Sequence, residues 1–205
     1  MTHSHHSKNL FWLMLIMLVS FIGLWKFYQF WLFRGMVRRE ALFAPLAEAA
    51  ARRHEVSPAL VKALIWKESR WLPTVVGRHG EIGLMQITPG AVQDWQRMKK
   101  QPAPLRNDLF KPELNIEIGT WYLSWTGKHW QDYKAREILQ LAEYNAGYTR
   151  VSKLWKPDSP DQDLPLDKIS FPGTRDYIKQ ILARKEHYEN QQHASNQDQF
   201  QPGQP

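Results

Sequence analysis

Cysteine is absent from the 205 residues. Disulfides, thiol chemistry, zinc sites with sulfur ligands and a lipid-modified N-terminal cysteine are therefore excluded, and cysteine usage says nothing about redox compartment. Long runs of one charge are missing too. Lys and Arg number 27 against 20 Asp and Glu, for a formal net charge of +7, but the basic residues come singly or in pairs. Such a scattered excess attracts polyanions (nucleic acid, anionic lipid, an acidic cell wall) and serves solubility equally well. Without a basic stripe, nucleic acid is the weakest of these readings. No internal repeat is visible. Aromatic residues, by contrast, are plentiful: Trp 10, Phe 9 and Tyr 7, enough for a large core or a stacking groove for sugars or bases.

Residues 1–9 form a polar tail. His3, His5 and His6 have no acid or cysteine near them, so they read as solvated side chains rather than metal ligands. Residues 10–33 are almost wholly apolar, interrupted by Lys26 near the far end. As a helix they span roughly 36 Å, more than the ~30 Å hydrocarbon core of a bilayer. Lys26 can snorkel, and Trp25 to Trp31 suits an interfacial belt. No small-x-small cleavage site accompanies Phe27 to Phe33, which favours an uncleaved transmembrane anchor over a signal peptide. Lys8 precedes the segment and Arg34, Arg38 and Arg39 follow it. That bias alone places the rest of the chain in the cytoplasm.

After a linker over 34–40, the pattern is helical and globular from 41 to 189. Leu42, Leu46, Ala49 and Ala50 give a first amphipathic stripe to about Arg53. Ser57-Pro58 and Thr88-Pro89 each read as an N-cap followed by proline in the first turn. The first opens a helix to about Arg70 with Leu60, Val61, Leu64 and Ile65 on its apolar face; the second opens one to about Lys100. Between them Gly77, Gly80 and Gly83 mark a loop, in which Val75, Val76 and Ile82 suit a small ribbon. Helices follow over Glu113–Trp130, Ala135–Tyr144 and Thr149–Trp155. A final one is capped by Thr174, with Tyr177, Ile178, Ile181, Leu182 and Tyr188 inward. Residues 190–205, rich in Gln, Asn and Pro, are expected to be disordered.

Glu68 follows Leu64 by four residues and Val61 by seven, so it falls in line with the apolar stripe rather than on the wet face. It also sits in the last turn, where the helix end disfavours another anion. Both effects raise a carboxyl pKa, as a general acid at neutral pH requires. By itself the position fits a snorkelling glutamate better than a catalytic one. Gly83-Leu84-Met85-Gln86 combines a turn with apolar contact and an amide suited to hydroxyls and acetamides. It also reads as a glycine turn plugging a core. Tyr144-Asn145-Ala146-Gly147 puts an aromatic with a polar tip and an amide at a helix end, where a simple helix stop is the plain alternative.

Glu68-Ser69, Gly83-Leu84-Met85-Gln86, Tyr144-Asn145-Ala146-Gly147 and Thr174-Arg175-Asp176-Tyr177 occur in the order and rough spacing of one family. Over residues 41–189 the chain resembles the soluble-lytic-transglycosylase-like domains, near the goose-type lysozymes. The resemblance implies a mainly α, lysozyme-like domain with a substrate groove. It implies Glu68 as the sole catalytic acid/base, with Ser69, Gly83, Met85, Gln86, Tyr144, Asn145 and Tyr177 as substrate-binding residues. It further implies non-hydrolytic cleavage of peptidoglycan to 1,6-anhydro-muramyl ends, with no metal or organic cofactor. Two positions depart from the family pattern: Glu81 stands where a small residue is common, and Gly173 where a glutamate is. A lysozyme-type muramidase using Glu81 or Asp132 to activate water is the alternative within the class; a non-catalytic peptidoglycan-binding protein is the alternative outside it. Peptidoglycan as partner requires the 41–189 domain to face outward from the inner membrane, against the arginine bias.

Overall fold

Two helices of this chain start on a capped proline and stop at an αL residue. In the computed structural model, which describes residues 3–200, Ser57 Oγ accepts from Leu60 N at 3.3 Å, Pro58 occupies the first turn, and the helix ends at Arg70 with φ 53°. Thr88 and Pro89 repeat the device, Thr88 Oγ1 accepting from Ala91 N at 3.1 Å, and Lys100 ends that helix, also at φ 53°. A capping oxygen satisfies one of the otherwise unpaired first-turn N–H groups, and proline there forfeits nothing.

Among the described residues the α-helices are α1 (His3–Arg53), α2 (Pro58–Ser69), α3 (Pro89–Lys99), α4 (Pro112–His129), α5 (Arg136–Ala146), α6 (Tyr148–Leu154) and α7 (Pro172–Phe200). Short 3₁₀ turns lie at Arg106–Phe110 and Leu166–Lys168. The expected ribbon is reduced to isolated antiparallel bridges, Val76 to Ile82 and Ile82 to Ile87. The chain divides into two units, Met1–Ala41 and Leu42–Pro205.

The first unit is helical throughout its described part. From Phe11 to Phe33 its large apolar side chains are exposed, and the helix is long and apolar enough to cross a membrane. The sequence reading separated a tail, an anchor and a linker over 34–40; the helix runs through all three. Gly35 alone does not break it, because an isolated glycine costs a helix only about 1 kcal/mol.

In the second unit α2 packs along α7, and α4 packs on α3 and α5. Leu64, Ile65, Ile116, Ile118, Leu123 and Leu139 are fully buried at these seams. The C-terminal end of α1 contributes Phe43, Ala47, Ala50 and Ala51, one residue on from the expected stripe, and Leu42 is exposed. Small alanines at 47, 50 and 51 allow close helix approach, which outweighs the size of Leu42. Two further expectations are corrected. Helix α7 starts at Pro172, so Thr174 is no cap; its hydroxyl donates to Asn145 Oδ1 at 2.8 Å. The helix also continues to Phe200, where disorder is expected from residue 190. No Gly or Pro interrupts 174–200, so nothing local stops it; residues 201–205 lie outside the described residues.

Candidate active site

Glu68 is delivered by the last turn of α2. Its Oε1 accepts a hydrogen bond from the Tyr177 hydroxyl of α7 at 2.5 Å. Burial pushes its carboxyl up to about 7, against the Tyr177 hydrogen bond and the Lys67 ammonium, which favour the charged form; Glu81 adds a small upward push. The side chain is nonetheless partly accessible, because it opens onto a cleft of about 410 Å³. A carboxyl that is desolvated, half protonated near neutrality and open to a ligand can give a proton and take one back.

The facing wall is the loop from Val75 to Ile87. One buried side chain holds it: Asn115 of α4. Its Oδ1 accepts from Met85 N at 2.8 Å, and its Nδ2 donates to Ile82 O at 2.8 Å and Leu109 O at 2.7 Å. Gly83 has φ 79°, and a Cβ there would collide with Asn115 and with the Leu109 carbonyl; here glycine is required by both conformation and space. Gln86 also adopts a left-handed conformation, φ 46°. Its amide donates to Gly83 O at 3.0 Å and Val75 O at 3.2 Å, so the loop's own carbonyls orient it at the cleft.

The end of α5 forms the third side. Tyr144 donates to Met85 O at 2.9 Å, tying α5 to the loop, and its ring meets Tyr122 edge-on with centroids 5.4 Å apart. Burial, reinforced by the Glu68 charge, keeps the Tyr144 and Tyr177 phenols protonated well above their ordinary range. Glu143 is buried on the same helix. Its Oε1 lies 2.8 Å from His129 Nδ1, and its Oε2 accepts from Trp130 Nε1 at 2.6 Å. Burial pushes its carboxyl up while these partners pull it down.

Of the residues singled out in the sequence, Glu68, Gln86, Tyr144 and Asn145 line the cleft together, and Glu81 joins them. Tyr177 lines the neighbouring cavity and reaches Glu68 from there. Ser69, Gly83 and Met85 lie behind the wall. Ser69 is buried with its hydroxyl on Ile65 O at 3.2 Å, and Met85 is buried, with Thr120 Oγ1 at 3.7 Å from its sulfur. Asp132 is absent from the cleft lining. Glu143 and Tyr122 fall within helices expected from the sequence, but neither they nor Asn115 were given a part in the site. The signal for Glu143 was available, since it follows Leu139 by four residues just as Glu68 follows Leu64.

Helices around a cleft that exposes the raised Glu68 carboxyl make a mainly α, lysozyme-like domain. The transglycosylase SLT domain model matches residues 45–163, and the chain belongs to that family. It is 35% identical over 143 residues to a soluble lytic murein transglycosylase of Salmonella typhimurium, which covers 67% of this chain and 21% of the relative. It is 30% identical over 149 residues to an endo-type membrane-bound lytic murein transglycosylase A of Cronobacter sakazakii, covering 71% and 73%. In three dimensions it resembles the 70-kDa soluble lytic transglycosylase of Escherichia coli with TM-score 0.64 and 30% identity, over 74% of this chain and 25% of that one. An inactive mutant of the Pseudomonas aeruginosa lytic transglycosylase Slt gives 0.65 and 25%, over 73% and 24%. The chain thus spans about a fifth of the length of the soluble curated relatives it matches.

Proposed function

We propose that the protein is a peptidoglycan lytic transglycosylase held at the inner membrane by α1, with its second unit on the outer side. The observation that carries the reading is Glu68: a desolvated carboxyl of raised pKa, hydrogen-bonded by one tyrosine, on the floor of a sugar-sized cleft.

The chemistry needs one acid. Protonated Glu68 gives its proton to the oxygen joining N-acetylmuramic acid to N-acetylglucosamine. The C1–O bond breaks through an oxocarbenium-like transition state. The resulting carboxylate takes the proton of the muramyl C6 hydroxyl, whose oxygen closes on C1. Products are an N-acetylglucosamine end and a 1,6-anhydro ring; the proton returns to Glu68 and no water is consumed. The internal nucleophile has the advantage of an intramolecular reaction. Gln86, Tyr144 and Asn145 are placed to hold hydroxyl and acetamido groups beside Glu68.

Glycosidases that use water usually need a second, ionised carboxylate. Glu143 is occupied on both oxygens, whereas Glu81 keeps one oxygen beyond the bond its Oε2 accepts from His79 N at 2.9 Å. The family match and the lytic transglycosylase relatives support the transglycosylase over the muramidase reading. Membrane association is supported by α1 and by the membrane-bound relative; the outward orientation follows from where peptidoglycan lies. Digestion of purified sacculi by the full-length chain in detergent, with mass spectrometry of the products, tests the activity: anhydro-muramyl ends are expected, and reducing muramyl ends alone would refute it. A periplasm-active reporter fused after Pro205 tests the topology; signal in the cytoplasm would refute it.

A further inference from the structure

Beside the cleft lies a second cavity of about 500 Å³. Asn145 lines both. Its charged residues are two cations, Lys67 and Arg150, and no carboxylate lines it. Lys67 directly precedes Glu68. Its ammonium donates to the neutral Gln180 Oε1 at 3.0 Å and stands 5.7 Å from the centre of the Tyr177 ring. The Arg150 guanidinium lies 5.1 Å from the centre of the Phe171 ring and makes one long bond, 3.4 Å, to Ala146 O. Some cations elsewhere on this unit are held by carboxylates: Arg53 by Glu117, Lys111 by Asp108, Lys134 by Asp163, Lys185 by Glu137. Lys67 and Arg150 take part in no ion pair among the described residues. Asn145 accepts from Thr174 through Oδ1, which leaves its amide N–H₂ as a further donor at the shared wall.

We propose that this cavity is a carboxylate-binding site, built by Lys67, Arg150 and Asn145, for the acidic branch of the sugar strand. The proposal rests on the reading of the adjoining cleft as a glycan cleft. A muramyl residue carries a lactyl group; this either ends in a carboxylate or continues into a short peptide that bears carboxylates. Either source presents the same chemistry next to the scissile bond, and charge-assisted bonds to ammonium and guanidinium are the strong class. Occupancy also bears on the acid. Lys67 holds the Glu68 carboxyl down, and a carboxylate bound to Lys67 cancels that influence. Glu68 then stays protonated at higher pH when an acidic branch is in place.

The test reads binding rather than turnover, on the full-length chain in detergent carrying Glu68→Gln. Calorimetry is run with soluble glycan fragments in three forms: peptide-bearing, stripped by an amidase to the free lactyl carboxylate, and carboxyl-capped as neutral amides. Capping is expected to weaken binding about tenfold where Lys67 and Arg150 are intact, in line with loss of a charge-assisted contact. It is expected to have no further effect in Lys67→Gln/Arg150→Gln, while Lys67→Arg retains the preference. With capping effective, stripped fragments binding as tightly as peptide-bearing ones assign the site to the lactyl carboxylate; weaker binding assigns it to the peptide. Equal binding of capped and uncapped fragments to the intact site overturns the proposal, as does an undiminished preference in a folded double variant. Product formation without carboxylate preference would sink this inference alone; preference without product would sink the transglycosylase reading alone.

Discussion

Two glutamates border the same cleft and end in opposite roles. Glu68 and Glu143 both sit four residues beyond a buried leucine, near the C-terminal end of a helix, with pKa values raised by burial. Glu143 meets an imidazole and an indole N–H, one on each oxygen, and so serves to lock the end of α4 to α5. Glu68 meets a single phenol, which leaves one carboxyl oxygen for a ligand. On the proposed reading, a strut and a proton carrier differ here in the number of donors and in access: Glu143 is buried, whereas Glu68 opens onto the cleft.

Substitution at each glutamate should separate the two roles. Glu68→Gln is expected to lower strand cleavage by about 10³–10⁴-fold, as for loss of a general acid, measured as anhydro-muropeptide release; retention of a tenth of the activity would erase the distinction. Its stability should change in the other direction. Because the folded carboxyl titrates at about 7 against 4.5 ordinarily, the folded state binds the extra proton between those values. Stability is therefore full below pH 4.5 and declines as pH rises through 7. The glutamine variant escapes that decline and should be more stable at pH 8 by up to ~3 kcal/mol, seen as a higher Tm at pH 8 and an equal one at pH 4.5.

Asn115→Ala strips three buried backbone groups of their partner and is expected to cost about 3 kcal/mol, read by denaturant midpoint, with activity lost through the loop rather than through Glu68. Glu143→Ala should cost about 2–3 kcal/mol by leaving the Trp130 indole unpaired, yet leave the pH profile of the remaining activity unmoved; a moved profile would give Glu143 a part in proton transfer. Tyr177→Phe has the smallest effect. It removes the bond that favours the charged form, so the basic limb of kcat/KM moves to higher pH, by about one unit; a shift to lower pH would contradict the geometry.

Helical periodicity and four short motifs made much of this legible from sequence. Leu64 to Glu68 gave the acid its place, and Ser57-Pro58 and Thr88-Pro89 gave two helix starts. Other features depended on partners far along the chain. Asn115 reads as an interruption of an apolar face until the loop it holds, thirty residues earlier, is folded against it. Thr174 looks like a cap, yet its hydroxyl serves Asn145. The motif glycine and methionine at 83 and 85 were expected in the groove; they shape its wall from behind. The unbroken course of α1 was hidden because helix propensity does not register the boundary that a change in hydropathy suggests.

The clamp of Asn115 on the Val75–Ile87 loop has a thermodynamic corollary. With Gln86 already turned into its left-handed form and its amide bonded to Gly83 and Val75, this wall of the cleft is set without a ligand. On the proposed reading, saccharide association then orders little of the protein, and the entropic penalty falls on the flexible sugar chain. Relaxation-dispersion profiles of the loop amides should stay flat with and without oligosaccharide.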